Sequence, residues 1–150
     1  MLVLDTHALI WAHAGIRIPK KVAKRIGTAG RANQLVISAI TPWEIALGVH
    51  RGRIKIAGDV LEWIADALDA LSAVVAPLEP AIAVDAVELS WDHADPSDRI
   101  IVATARRLGA SLVTADMAIL AFASSTKAVR VLELCPHDVG LNAARAATGP

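Results

Sequence analysis

Short apolar runs rich in branched residues alternate along this chain with longer stretches that carry apolar residues at helical spacing. That alternation restricts the fold more than any other feature. Residues 2–4, 34–38, 73–76, 111–114 and 129–134 read as strands. Between them, residues 6–14 read as a helix stopped by Gly15, and a second helix begins at Pro19 and ends near Gly27 to Gly30. Residues 40–50 form a third, with Pro42 in its first turn, and Asp59 caps a fourth that runs to about Leu71. Helices are also predicted over 80–91, over 95–108 with Asp95 as N-cap and Pro96 at the first helical position, and over 117–122. Residues 53–56 alternate and read as a further short extended piece. Strands separated by helices cannot pair as tight hairpins, so they line up in parallel with right-handed crossovers. A hydrophobic content of 55% suits a sheet covered on both faces, and 150 residues suffice for one such α/β domain. The Ala- and Gly-rich tail over 137–150 is expected to be loosely held, leaving 1–136 as the domain.

Several function classes are disfavoured at once. A single cysteine, Cys135, excludes an internal disulfide, and no Cys/His cluster resembles a zinc site. Asp5 interrupts the first apolar run, and no basic segment precedes it, so a signal peptide is not expected. No stretch approaches the roughly 18 uninterrupted apolar residues of a membrane helix. Cytoplasmic location is the expectation. No glycine–lysine phosphate loop, G-x-G-x-x-G or nucleophile elbow is present. Net charge is zero but unevenly spread. Residues 1–56 carry nine Lys/Arg and two acids, whereas residues 57–98 carry ten acids and no Lys/Arg. The basic part suits a nucleic-acid or acidic-protein surface, with Lys20, Lys21, Lys24 and Arg25 on one helix, or simply a set of solvated helix faces.

Ligand crevices of parallel sheets lie beyond the carboxyl ends of the strands. Asp5 follows the first strand, and Asp116 follows the strand at 111–114. The second strand feeds the helix of Glu44, which shares a stripe with Ile40 and Leu47, the side expected to pack on the sheet. Asp98 falls in the first turn of a helix apolar on most of its surface. Four acids from four separated elements are thus placed to converge. Two carboxylates about 4 Å apart repel by roughly 4 kcal/mol at an effective dielectric near 20. Convergence therefore requires protonation or a cation. All-oxygen ligands favour Mg²⁺ or Mn²⁺, and a metal-activated water is a nucleophile for phosphodiesters. Each acid alone also has a structural reading: Asp5 and Asp116 as helix caps, Asp98 as a partner of the helix dipole, Glu44 as a snorkelling or arginine-paired side chain. The five histidines (His7, His13, His50, His93, His137) pair with no ligand at a convincing spacing and read as structural or surface groups. Trp11, Trp43, Trp63 and Trp91 lie on predicted helices and read as packing groups in preference to base-stacking platforms.

Several stretches together resemble the PIN-domain ribonucleases, in particular the VapC-type toxins of toxin–antitoxin pairs. They are Leu4-Asp5-Thr6-His7, Ser38-Ala39 through Trp43-Glu44-Ile45-Ala46, Gly52-Arg53-Ile54, His93-Ala94-Asp95-Pro96-Ser97-Asp98-Arg99 and Leu112-Val113-Thr114-Ala115-Asp116. Ser97 stands where relatives often carry an aromatic residue. The resemblance implies a three-layer α/β/α fold with a central parallel sheet of four or five strands. It also implies a Mg²⁺- or Mn²⁺-dependent endoribonuclease, a homodimer and a cognate antitoxin. It makes Asp5 and Asp98 direct metal ligands, has Asp116 complete the acidic pocket, and gives Glu44 the metal water or the role of general base. Thr6 and Thr114 then hydrogen-bond the acids or merely cap strand ends. Arg99 meets a phosphate or a neighbouring acid, and Arg99, Thr114, Lys20 and Lys24 become candidate RNA contacts. The implied reaction leaves a 5′-phosphate and a 3′-hydroxyl. Two other classes compete. A receiver-like or phosphatase-like domain with a phosphorylated strand-end Asp wants another acid beside that Asp or a lysine after a late strand, and neither is found. A silent RNA- or protein-binding module of the same fold gains nothing from four mutually repelling acids.

Overall fold

The computed structural model describes residues 1–134, so the expected tail over 137–150, the boundary at 136 and Cys135 lie outside the described residues. Five strands form one sheet: β1 (Leu2–Leu4), β2 (Leu35–Ser38), β3 (Val74–Ala76), β4 (Ser111–Thr114) and β5 (Arg130–Glu133). Their order is β3-β2-β1-β4-β5, and every pairing is parallel. The helices are α1 (Thr6–Ala14), α2 (Lys20–Arg31), α3 (Thr41–His50), α4 (Val60–Leu71), α5 (Pro80–Glu88), α6 (Pro96–Arg107) and α7 (Met117–Thr126). Alternate residues of β1 serve opposite faces. Leu2 and Leu4 join Leu9, Leu35, Ile37, Ile45, Ile64 and Val113 in one core. Val3 joins Val36, Ile101, Val102, Leu112, Ile119 and Phe122 in the other. Helices therefore cover both faces, giving the three layers that the family resemblance implied. Among the described residues no helix is long and apolar enough to cross a membrane.

Register brings the functional ends of the strands level. Leu4 lies beside Ile37 on one flank and Val113 on the other. The Asp5 amide extends the ladder by donating to the Val113 carbonyl (3.1 Å). Behind this edge, the Thr104 hydroxyl of α6, which donates to the Ile100 carbonyl (2.7 Å), shares a hydrogen bond with the buried Ser38 hydroxyl of β2 (3.1 Å), tying the helix that carries Asp98 to the sheet.

Four elements depart clearly from their sequence-based bounds, and the simplest is α7, which runs on past Phe122 to Thr126. Helix α2 continues through Gly27 and Gly30 to Arg31. Gly30 is a packing residue here, since a Cβ at that position would lie 2.3 Å from the Leu71 carbonyl oxygen of α4. Residues 53–56 form no strand and pair with none. Their alternation has another cause: the Ile54 side chain covers Gly48, where a Cβ would meet Ile54 Cδ1 at 2.4 Å. Helix α5 stops at Glu88, three residues short of Trp91.

The early end of α5 is explained by Arg99. From the first turn of α6 its guanidinium donates to five main-chain carbonyls. Nε bonds Ala86 (2.8 Å), one terminal nitrogen bonds Trp91 (2.5 Å) and His93 (3.4 Å), and the other bonds Val87 (3.0 Å) and Leu89 (2.8 Å). These are all the donors a guanidinium has. The chain from α5 to α6 is wrapped around this side chain instead of continuing as helix. The expectation that Arg99 meets a phosphate or an acid is thus corrected, because no donor is left over.

Replacing Arg99 with Lys should destabilise the fold by about 3 kcal/mol or more, since an ammonium cannot serve five carbonyls in a fixed fork and a buried unpaired carbonyl costs roughly 1–3 kcal/mol. Thermal denaturation followed by circular dichroism checks this. A melting point within about 2 °C of wild type would show that the wrap holds without the guanidinium.

Candidate active site at the carboxyl edge of the sheet

The central strand delivers Asp5 to the middle of the edge. Asp5 is the N-cap of α1, its Oδ1 accepts from the Ala8 amide (2.6 Å), and it is buried at 6% exposure. Asp116 follows β4 and caps α7, with Oδ1 accepting from the Ala118 (2.8 Å) and Ile119 (2.9 Å) amides. Asp98 stands in the first turn of α6, and Glu44 in the first turn of α3. All four line one cleft of about 240 Å³, together with Thr6, His7, Arg53, Ile101 and a further carboxylate, Asp95. The helix-cap readings of Asp5 and Asp116 and their convergence both hold, because a cap occupies only one carboxylate oxygen of each.

Glu44 reaches the cleft by a different route from the one its stripe suggested. The buried face of α3 is Thr41, Ile45 and Gly48, while Glu44 and Leu47 lie half-buried at its flank. A core-facing Glu44 would be stranded without solvent. At the flank its stem packs and its carboxylate turns to the cleft, where Oε2 accepts from the Thr6 hydroxyl (2.5 Å).

Electrostatics of the cleft follow from crowding acids at a protein edge. Burial pushes the Glu44 carboxyl up from 4.5 to about 7; the Thr6 hydroxyl opposes this, and the charges of Asp98, Asp95 and Asp5 add to it. Burial also raises Asp5, against the stabilising hydroxyl of Thr114 and amide of Ala8. Asp98 is raised by burial, held back by its hydrogen bond from His93, and raised again by Asp116 and Asp95.

Three supporting side chains hold these acids. Thr114 is fully buried; its hydroxyl bonds Asp5 and accepts from the Asp116 amide (2.9 Å), so one side chain sets two carboxylates. Its burial rules out contact with RNA, which corrects its candidacy as a substrate contact. Thr6 holds Glu44. His93 was read from sequence as a bystander, yet its Nε2 donates to Asp98 Oδ2 (2.7 Å), an ionised carboxylate being able only to accept. Its ring stacks on Trp91 (centroids 4.2 Å apart), which stacks in turn on Phe122 (4.7 Å). The signal was hard to find, because His93 precedes the helix of Asp98 and no helical spacing links the two. Lys20 and Lys24 are exposed on α2 and do not border the acidic cleft. Lys24 instead borders a cavity with Met1, Gln34 and Ser111, at the amino ends of the strands. Their placement is that of a solvated helix face.

Among the described residues, no three His, Cys, Asp or Glu side chains are drawn around a single point. The cleft nevertheless fits a hard divalent cation by donor chemistry. It offers carboxylate oxygens from Asp5, Glu44, Asp98 and Asp116, and their mutual repulsion and burial are what a cation would relieve.

Comparison with known proteins agrees with this geometry. The family model described as PIN domain matches residues 2–124. Ribonuclease VapC22 of Mycobacterium tuberculosis is 33% identical over 117 residues, covering 77% of this chain and 86% of that protein. The fold is shared with VapBC2 from Rickettsia felis, solved bound to a promoter DNA fragment, at a TM-score of 0.62 and 16% identity, covering 88% of this chain and 97% of that one. It is shared equally with DNA-bound VapBC from Salmonella typhimurium, at 0.61 and 19% identity, covering 89% and 98%. A matching family model over most of its length, a related ribonuclease and a cleft of convergent acids together establish that this chain belongs to the PIN-domain family, among its VapC-type ribonucleases.

Proposed function

We propose that the chain is the toxin of a type II toxin–antitoxin pair, a Mg²⁺- or Mn²⁺-dependent endoribonuclease acting in the cytoplasm. The observation that carries this reading is the meeting of Asp5, Glu44, Asp98 and Asp116, from four separated elements, in one cleft of a PIN-family chain. Asp5 and Asp98 would hold the cation, with Asp116 completing the acidic wall. Bound there, a divalent ion supplies charge neutralisation and Lewis acidity toward water and a phosphodiester oxygen. Glu44, with a carboxyl titrating near neutrality, is suited to accept the proton of the attacking water. Thr6 orients Glu44, Thr114 orients Asp5, and the His93–Trp91–Phe122 column orients Asp98. Hydrolysis by water leaves a 5′-phosphate and a 3′-hydroxyl, without use of the RNA 2′-hydroxyl.

Relatives solved as VapBC complexes support an antitoxin partner for this chain too. Such a partner could silence the cleft by offering a basic side chain to the acids. A homodimer is supported by Val84 and Val87, which α5 leaves 53% and 78% exposed. The silent-module alternative accounts less well for carboxylates kept together against their raised ionisation cost.

Asp98→Asn and Asp5→Asn should each lower RNA cleavage at least about a hundredfold while leaving the circular dichroism spectrum unchanged. Cleavage of total RNA at wild-type rate by either purified variant would end the ribonuclease assignment. His93→Ala should weaken Mn²⁺ binding, read by titration calorimetry, about 10- to 100-fold, as loss of a supporting hydrogen bond does at metal sites. An unchanged binding constant would make His93 a packing residue only.

The raised Glu44 carboxyl carries a pH dependence. Folded Glu44 keeps its proton to about pH 7, whereas the unfolded chain releases it near 4.5. Between those values the folded state binds more protons, so metal-free stability should fall as pH rises through that window. Glu44→Gln should flatten the fall, and Mn²⁺ should offset it. Melting points of wild type and variant across pH 4–8, with EDTA or Mn²⁺, check the sign; identical slopes for the two proteins would contradict it.

A further inference from the structure

A second groove opens beside the acidic cleft. It measures about 390 Å³ and shares Thr6, His7, Glu44, Arg53 and Asp95 with the cleft, so the two are continuous. Its outer wall is Trp43 and Leu47 of α3 with Arg51, Arg53 and Ile54 of the following turn. Resting on the ribonuclease reading above, we propose that this groove seats a single-stranded RNA segment flanking the scissile phosphate, with one base stacked on Trp43 and neighbouring phosphates held by Arg51 and Arg53.

Three observations carry the proposal. First, Trp43 differs from the other tryptophans. Trp11 contacts the His7 ring and the Arg17 guanidinium, Trp63 meets His13, and Trp91 is sandwiched by His93 and Phe122. Trp43 is 53% exposed and, among the described residues, touches no ring or cation. An indole left bare at the mouth of a catalytic cleft is a stacking surface for any base.

Second, among the described residues Arg51 and Arg53 make no side-chain hydrogen bond or ion pair, although Glu44 and Asp95 line the same groove. Third, the turn that carries them is fixed. The Gly48 carbonyl accepts from both the Arg53 (2.8 Å) and Ile54 (3.1 Å) amides, and Gly52 at φ +69° makes the reversal. The Ile54 side chain closes down on Gly48. Two cations on a rigid turn, next to an exposed indole and one wall away from the reacting acids, match alternating phosphate and base. A duplex keeps its bases stacked on each other and offers none to Trp43, so the segment is unpaired.

The test uses fluorescein-labelled eight-nucleotide RNA and the cleavage-inactive Asp98→Asn chain. Trp43→Ala in that background should weaken binding roughly 5- to 100-fold by anisotropy, the scale of losing one base–aromatic stack, and Trp43→Phe should restore most of it. RNA should quench part of the tryptophan emission, and that quench should vanish in Trp43→Ala. Arg51→Gln with Arg53→Gln should lower the slope of log affinity against log salt by about 1.4. Unchanged affinity together with a full quench in Trp43→Ala overturns the proposal. So does equal weakening toward blunt duplex RNA, or displacement of the RNA by a polyglutamate peptide as effectively as by unlabelled RNA, which would mark an acidic-peptide seat. Failure of the ribonuclease reading is distinguishable, because it appears as absence of cleavage by the wild-type chain with Mn²⁺.

Discussion

A carboxylate at the end of the central, most enclosed strand is costly to ionise, and the architecture around the edge answers that cost. Asp5 has little solvent of its own. Its charge is tolerated because the α1 amide of Ala8 and the Thr114 hydroxyl reach it. Both donors exist because parallel register places the ends of β1 and β4 level and turns each strand directly into a helix N-terminus. The sheet thus supplies the site with oriented dipoles before any metal is considered. The remaining repulsion among Asp5, Glu44, Asp98 and Asp116 favours a site that a divalent cation stabilises.

Support for the acids is layered. Asp98 is held from one side by His93, which is itself clamped in an aromatic stack. It is held from below by the start of α6, whose neighbour Arg99 gathers the approaching chain. Glu44 is held by Thr6, the residue after Asp5, so α1 and α3 share a hydrogen bond across the cleft. Positions adjacent to the acids in sequence therefore act on acids elsewhere in the cleft. Moving any one of these supports shifts a carboxylate without touching it.

Much of this was legible in the sequence, for reasons that can be named. The inner strands β1, β2 and β4 were visible because buried parallel strands are continuous apolar runs, and the more exposed edge strands β3 and β5 because they are short runs rich in branched residues. Asp5 and Asp116 were placed at the edge because a residue just past an inner strand has one location. Periodicity failed where tertiary contact overruled it. Gly30 looked like a helix stop but is the point where α2 and α4 touch, and Ile54 looked like strand alternation but fills the gap over Gly48. Glu44 was assigned to the wrong stripe because a wheel cannot tell the rim of a buried face from its centre. His93 and Arg99 were misjudged for a common reason. Their partners are a carboxylate and five carbonyls brought near by an irregular segment, and no pattern of side chains encodes that.

The Arg99 wrap has a consequence for how this edge can vary. The guanidinium reads main-chain oxygens of residues 86, 87, 89, 91 and 93, and ignores what side chains those residues carry. The wrap thereby fixes the length of the connecting segment without itself choosing its residues, whose identities matter instead through the His93–Asp98 bond and the Trp91 stack. A single inserted residue would slide the later oxygens out of the fork and carry His93 away from Asp98, so this stretch behaves as a ruler set between two helices.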